Sequence, residues 1–243
     1  MRFVVVLAAL LLAAMQPSLA AGGFADWGAV VVAGDFHAHD GSEAEIFDNA
    51  RRDIAVQLQR IGFPADNIVQ FSVRPEKYAP VPQHSEPQTI ANALWDLSNR
   101  TSAGCLIYIT SHGSTGGVQV GGVLLVPDAL ATMVSNACGD RPTVVIVSAC
   151  YSGVFVPALA GPNRLILTAA RPDRTSFGCG QTFTYTFFDE CVLQEFSTSH
   201  DFPGLASLVQ ACVAAREKKE KMSPPSEPQL SIGANVAAAL PKW

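Results

Sequence analysis

Two stretches of the chain bring reactive side chains to the ends of apolar runs. "IYITSHGSTGG" (107–117) ends in His112, set between Ser111 and Gly113. "TVVIVSACYSG" (143–153) ends in Cys150, with Ser152 and Gly153 just beyond. A thiol of ordinary pKa, about 8.5, is mostly protonated at neutral pH and becomes a useful nucleophile when an imidazole takes or balances its proton. Attack on an amide also builds an oxyanion, which needs backbone N–H groups that no side chain blocks. The N–H groups of Gly113 and Cys150 are the candidates, and one such donor is worth about 3–4 kcal/mol in the transition state. Taken alone, a histidine in Ser-His-Gly-Ser is more often a turn residue, and a cysteine after an apolar strand more often core.

The elements that would have to position this pair follow from periodicity. "WGAVVVAG" (27–34), "NIVQFSV" (67–73), "GCLIYITS" (104–111), "TVVIVSA" (143–149) and "RLILTAA" (164–170) are short β-branched runs of buried-strand type. Between them, Phe47, Ala50, Ile54, Leu58 and Ile61 recur at helical spacing, and so do Ile90, Leu94 and Leu97. Ser42-x-x-Glu45 and Ser85-x-x-Gln88 read as capping boxes for those two helices. Pro127 opens a third helix, 182–196 reads as a fourth, and Leu205 to Val213 line a final one. "GGVQVGGVLLV" (116–126) alternates around glycine pairs like a small hairpin flap, 218–228 reads as a solvated turn region, and "QLSIGANV" as an edge strand.

Strands that alternate with helices and are apolar throughout predict a mostly parallel sheet covered by helices on both faces, a three-layer α/β fold. In such sheets reactive groups collect beyond the carboxyl ends of the strands. Neighbouring strands lie about 4.8 Å apart, so His112 and Cys150 on adjacent strands would come within reach of each other.

The first twenty residues have one basic residue, Arg2, an apolar run from Phe3 to Met15, and small residues up to Ala20. That is the pattern of a secretory signal peptide cleaved after Ala20, which leaves residues 21–243 as one domain, exported to the periplasm or secreted. Its apolar run is shorter than the roughly 20 residues a membrane span requires, and no other segment approaches that length. Loss of Arg2 takes the net charge from −5 to −6, and without a basic stripe a nucleic-acid partner is not expected.

Of the six cysteines, none has zinc spacing, so neither a metal nor another cofactor is expected. Export permits disulfides. With Cys150 reserved as a nucleophile, at least one other must be unpaired. Cys105, within an apolar strand, reads as a small buried core residue, and pairing among Cys138, Cys179, Cys191 and Cys212 stays open. "GDFHAHDG" (34–41) carries His37 and His39 with Asp35 and Asp40. It reads as a polar loop bordering the site, with Asp35 the candidate to orient His112.

The motifs "TSHGS" (110–114) and "SACYSG" (148–153), in this order, resemble those of the legumain family of cysteine peptidases, which shares one α/β fold with the caspases. "TAARPDRTSFGC" (168–179) also follows that family's pattern, and the resemblance runs over roughly 27–200. It implies a caspase-like fold and a cysteine endopeptidase acting on a peptide or protein through an acyl-enzyme. Cys150 would be the nucleophile, His112 the general base and acid, and Gly113 N–H with Cys150 N–H the oxyanion donors. Ser148, Ser176 and Phe177 would border the pocket for the residue before the scissile bond. Two alternatives stand beside it: a transpeptidase or transamidase using the same dyad, and a non-catalytic exported binding protein of the same fold. The chain departs from the family where Ser148 stands in place of an acidic residue. No arginine in 34–45 matches the family's own, and the second pocket acid falls near Gln181 or Thr182.

Overall fold

Ten strands and seven helices are described over residues 23–243 of the computed structural model; the expected signal peptide lies outside the described residues. The strands are β1 (Trp27–Ala33), β2 (Ile68–Ser72), β3 (Gln83–His84), β4 (Gly104–Thr110), β5 (Gly113–Ser114), β6 (Gly117–Val120), β7 (Val123–Leu125), β8 (Thr143–Ser148), β9 (Arg164–Thr168) and β10 (Gln229–Ile232). The helices are α1 (Ile46–Arg60), α2 (Pro87–Arg100), α3 (Pro127–Cys138), α4 (Val156–Leu159), α5 (Phe187–Glu195), α6 (Phe202–Lys219) and α7 (Val236–Ala239).

Seven strands form one sheet in the order β10-β9-β8-β4-β1-β2-β3, parallel except for β10. β1, β4 and β8 are buried along their whole length, as their unbroken apolar sequence requires in a sheet covered on both sides. Alternation sorts their side chains. Ala29, Val31, Leu106, Tyr108, Val144 and Ile146 share one core layer with α1, α5 and α6. Val30, Val32, Ile107, Ile109, Val145 and Val147 share the other with α2 and α3. The three-layer α/β fold expected from the sequence is the one observed. The 116–126 hairpin is also present, as β6 and β7 with β5 added at its side.

Several local expectations are corrected. Neither capping box forms. Ser42 Oγ donates to Asp40, Glu43 and Glu45 pair with Arg74, and α1 begins at Ile46. Ser85 Oγ donates to the Ala33 carbonyl, and α2 begins at Pro87. The Ala33 carbonyl draws the Ser85 hydroxyl to itself, and the Arg74 guanidinium outcompetes backbone N–H groups for the glutamate carboxylates. The helix expected over 182–196 is only Phe187–Glu195, because Thr186 caps it by accepting from Asp189 N–H. The 218–228 stretch is not simply solvated: the buried Glu217 carboxylate accepts from the buried Ser226 N–H at 3.1 Å.

Cys105 is buried but is not a lone core thiol. Alternation turns it toward the face covered by α3, whose last residue, Cys138, meets it in a disulfide. A second disulfide, Cys191–Cys212, ties α5 to α6, and Cys150 and Cys179 are free.

Candidate active site

β4 and β8 are neighbours with Thr110 opposite Ser148, so the chain leaves the two strands side by side. His112 and Cys150 each lie two residues past that last pair. The approach is close. A Cβ on Gly113 would sit 2.3 Å from the Cys150 carbonyl oxygen and 2.9 Å from Ala149 Cβ, so only glycine fits between the tips.

After Cys150 the chain turns through Tyr151, a non-glycine residue at φ 58°. That conformation is disfavoured for an L residue, and the turn is held from outside. Tyr151 N–H donates to the Arg174 carbonyl at 2.8 Å, Gly153 N–H to the Ala170 carbonyl at 2.8 Å, and Ala170 N–H to Ser152 Oγ at 3.2 Å. A Cβ on Gly153 would meet Pro172 at 2.6 Å. The Ser-Gly after Cys150 therefore serves to dock the 170–176 loop against the turn. That loop delivers Ser176 to the thiol: Ser176 N–H points at Cys150 Sγ from 3.3 Å, and its Oγ and carbonyl lie 3.6 Å away. Among the described residues no acceptor takes the Cys150 N–H.

His112 is oriented by the 34–41 loop. Its Nε2 lies 3.0 Å from the His37 carbonyl oxygen, and Phe47 meets the ring edge-on at 5.1 Å. A carbonyl can only accept, so Nε2 carries the proton and the neutral ring presents its lone pair at Nδ1. Asp35 does not touch His112 as expected. Its Oδ1 instead takes His37 Nδ1 at 2.8 Å and the N–H groups of Phe36 and His37, folding the loop that supplies the carbonyl. His112 and Cys150 are not hydrogen-bonded to each other; the thiol's partner is Ser176. A cleft of about 490 Å³ opens beside the imidazole, lined by His37, Ala38, His39, Gly41 and His112. The expectation that this loop borders the site is met. Among the described residues no group of three or more His, Cys, Asp or Glu side chains is arranged to hold a metal.

Phe177 lies beside Ser176, its carbonyl accepting from Phe187 N–H at the start of α5. Ser148, expected at a pocket wall, is only 1% exposed. Strand alternation turns its Oγ toward Thr186 Oγ1, 3.3 Å away, rather than into the cleft. Two residues escaped the sequence reading. Cys179 shares a small core cluster with Phe47, and its carbonyl accepts from His39 N–H. Burial, and then the charge on Cys150, push its thiol up. Asp189 is wholly buried beneath the strand tips, where Tyr108, Thr110 and Thr186 donate to it. Within a stretch read as continuous helix nothing distinguished it from a surface acid; only its place three residues past a Thr cap marks the first turn.

Comparison with known families matches residues 65–222 to the Peptidase C13 family, a span that includes both His112 and Cys150. No curated protein matches the chain. Among solved structures, caspase-1 from Spodoptera frugiperda is similar, with a TM-score of 0.63 at 15% identity over 87% of this chain and 88% of that one. At that identity the likeness speaks for the fold.

Proposed function

The chain belongs to the Peptidase C13 family and is a legumain-like cysteine peptidase of caspase fold, and from that premise we propose that it is an exported endopeptidase working through Cys150 and His112. The observation that carries this reading is the pair of adjacent strand tips, Thr110 beside Ser148, locked together at Gly113. In the proposed reaction His112 Nδ1 takes the Cys150 proton and the thiolate adds to a peptide carbonyl. The N–H groups of Gly113 and Cys150 hold the oxyanion; that no acceptor among the described residues takes the Cys150 N–H supports that role. Collapse breaks the C–N bond as the imidazolium protonates the leaving amine. Water then attacks the thioester, its proton passing to His112, and the acid product leaves with the thiol restored. Ser176 and Phe177, on the loop that touches the thiol, are proposed to border the pocket for the residue before the scissile bond.

Export is supported by the twenty-residue leader pattern and by two disulfides, which persist in oxidising compartments. Expression with intact mass measurement should find the mature chain starting at Ala21; a retained leader would overturn the export reading. The activity is tested with a fluorogenic peptide library varied before the scissile bond, using protein that lacks residues 1–20. The wild type should cleave with a preference, and Cys150→Ala should fall to background. Cleavage surviving in Cys150→Ala would remove Cys150 from the mechanism. His112→Ala should slow both cleavage and alkylation of Cys150 by iodoacetamide.

A further inference from the structure

A carboxylate buried without a cation is expensive, costing several kcal/mol even after relaxation, and it persists only where hydrogen bonds hold it. Asp189 is such a group: 0% exposed, with hydroxyl partners and no Lys, Arg or His ion pair among the described residues. Its bonds come from three hydroxyls on two elements. Tyr108 OH lies 2.6 Å from Oδ1. Thr110 Oγ1 is 2.6 Å and Thr186 Oγ1 2.9 Å from Oδ2. Tyr108 and Thr110 are on β4, and Thr186 is the cap of α5. Ser148, the β8 partner of Thr110, joins through Thr186 at 3.3 Å.

With Asp189 as a carboxylate it only accepts, and in that state the direction of every bond in the cluster is fixed. Tyr108, Thr110 and Thr186 must each spend their single proton on Asp189. Thr186 then has two lone pairs left, and they accept from Asp189 N–H at 3.0 Å and from Ser148 Oγ–H. No hydroxyl of the cluster has a free proton or a second orientation. The two residues so fixed at the sheet edge, Thr110 and Ser148, are those two positions ahead of His112 and Cys150. A cluster serving stability alone has no need of the charge, since an apolar filling of the same space would be less costly.

We propose that Asp189 is a positioning residue: its carboxylate clamps the last residue pair of β4 and β8 to the start of α5, and so sets the placement of His112 relative to Cys150. This rests on the reading of those two residues as the dyad. Asp189 touches neither of them and acts through Thr110, Ser148 and Thr186.

Asp189→Asn keeps the shape but gives up one acceptor and places N–H₂ donors among hydroxyls already committed as donors. The protein lacking residues 1–20 would be compared with its Asp189→Asn and Thr110→Val variants for iodoacetamide alkylation of Cys150 by mass spectrometry, for kcat and KM on a cleaved fluorogenic peptide, and for Tm. The expected result for Asp189→Asn is a ten- to hundredfold lower kcat with KM within twofold, Cys150 alkylation slower by about tenfold, and Tm unchanged or higher. Thr110→Val should change in the same direction by less. Wild-type kcat and alkylation in Asp189→Asn would overturn the proposal, and so would a loss that follows a fall in Tm, which is what a purely structural residue would give. Should Asp189→Asn fail to fold, Thr110→Val decides by the same criteria. Cys150→Ala, run alongside, separates the two failures: if it still cleaves, the dyad reading fails, and if it is inactive while Asp189→Asn is normal, only the clamp does.

Discussion

At the residue scale, the space beside Gly113 leaves no room for a side chain. The hypothetical Gly113 Cβ meets backbone, 2.3 Å from the Cys150 carbonyl oxygen, and backbone cannot swing aside as a long side chain does. Gly113→Ala should therefore cost about 1–3 kcal/mol of stability by overpacking and lower kcat/KM at least tenfold by parting the tips. Gly116→Ala is the control, because there the added Cβ meets only side-chain atoms, Leu124 Cδ2 at 3.1 Å and Ser114 Oγ at 3.7 Å; it should remain near wild type in both Tm and kcat/KM. The two free thiols separate in the same way. Burial raises the Cys179 thiol, which leaves less of it as thiolate at neutral pH. Iodoacetamide should modify Cys150 first, read by peptide mass mapping, and faster modification of Cys179 would contradict the assignment of Cys150 as the reactive thiol. The sequence exposed His112, Gly113 and Cys150 because each closes an apolar run and is followed by small residues. It hid Asp189 and Cys179 because their importance comes from what the fold sets against them, Tyr108 and Thr110 for one and Phe47 for the other.

At the element scale, strands were legible and helix starts were not. β1, β4 and β8 are unbroken apolar runs with one physical solution, burial on both faces. Ser42 and Ser85 failed as caps because neighbouring Asp40 takes the Ser42 hydroxyl, while Arg74 and the Ala33 carbonyl, distant in sequence, take Glu43 and Ser85. The Cys105–Cys138 pairing was legible in principle from the alternation of β4, once α3 is known to cover that face. The Cys191–Cys212 bridge joins α5 to α6 across a sequence separation of 21 residues, a loop whose closure is worth about 3 kcal/mol. Cys212→Ser should lower Tm and the denaturant midpoint without lowering kcat; a normal midpoint would mean the bridge adds no stability. Asp189 gives a pH signature to the β4–β8–α5 junction. Burial raises its carboxyl above the ordinary 3.8, against the hydroxyl bonds that lower it. Folding then takes up a proton between 3.8 and the raised value, so this group's contribution to stability falls as pH rises through that interval. Asparagine does not ionise. The Tm of Asp189→Asn minus that of the wild type should therefore grow as the pH rises above 3.8, and a difference that shrinks would contradict a raised carboxyl.

At the scale of the whole molecule, the family match ends at residue 222 but the core does not. β10 pairs antiparallel with β9, covering an edge that would otherwise offer open N–H and C=O groups. Val236 at 0% and Leu240 at 7% exposure belong to the same core layer as α1, α5 and α6, and Trp243 packs, tilted or edge-on, among Phe24, Phe196 and Phe202. The same segment reaches the site. Arg171 N–H donates to the Ser226 carbonyl and the Arg171 guanidinium pairs with Glu227, bracing the loop that carries Ser176 to the thiol. Burying one aliphatic side chain is worth about 1.5–3 kcal/mol, so Val236 and Leu240 together supply a sizeable share of the 5–15 kcal/mol typical of a whole domain. A chain ending at Met222 should therefore be insoluble or melt far below the full-length protein, even though it keeps every residue of the family match. Leu240→Ala tests the same point in a chain that still folds: a loss of about 2–5 kcal/mol by chemical denaturation is expected. A change below 1 kcal/mol would show that residues 223–243 lie on the core without completing it, and that the matched region is self-sufficient.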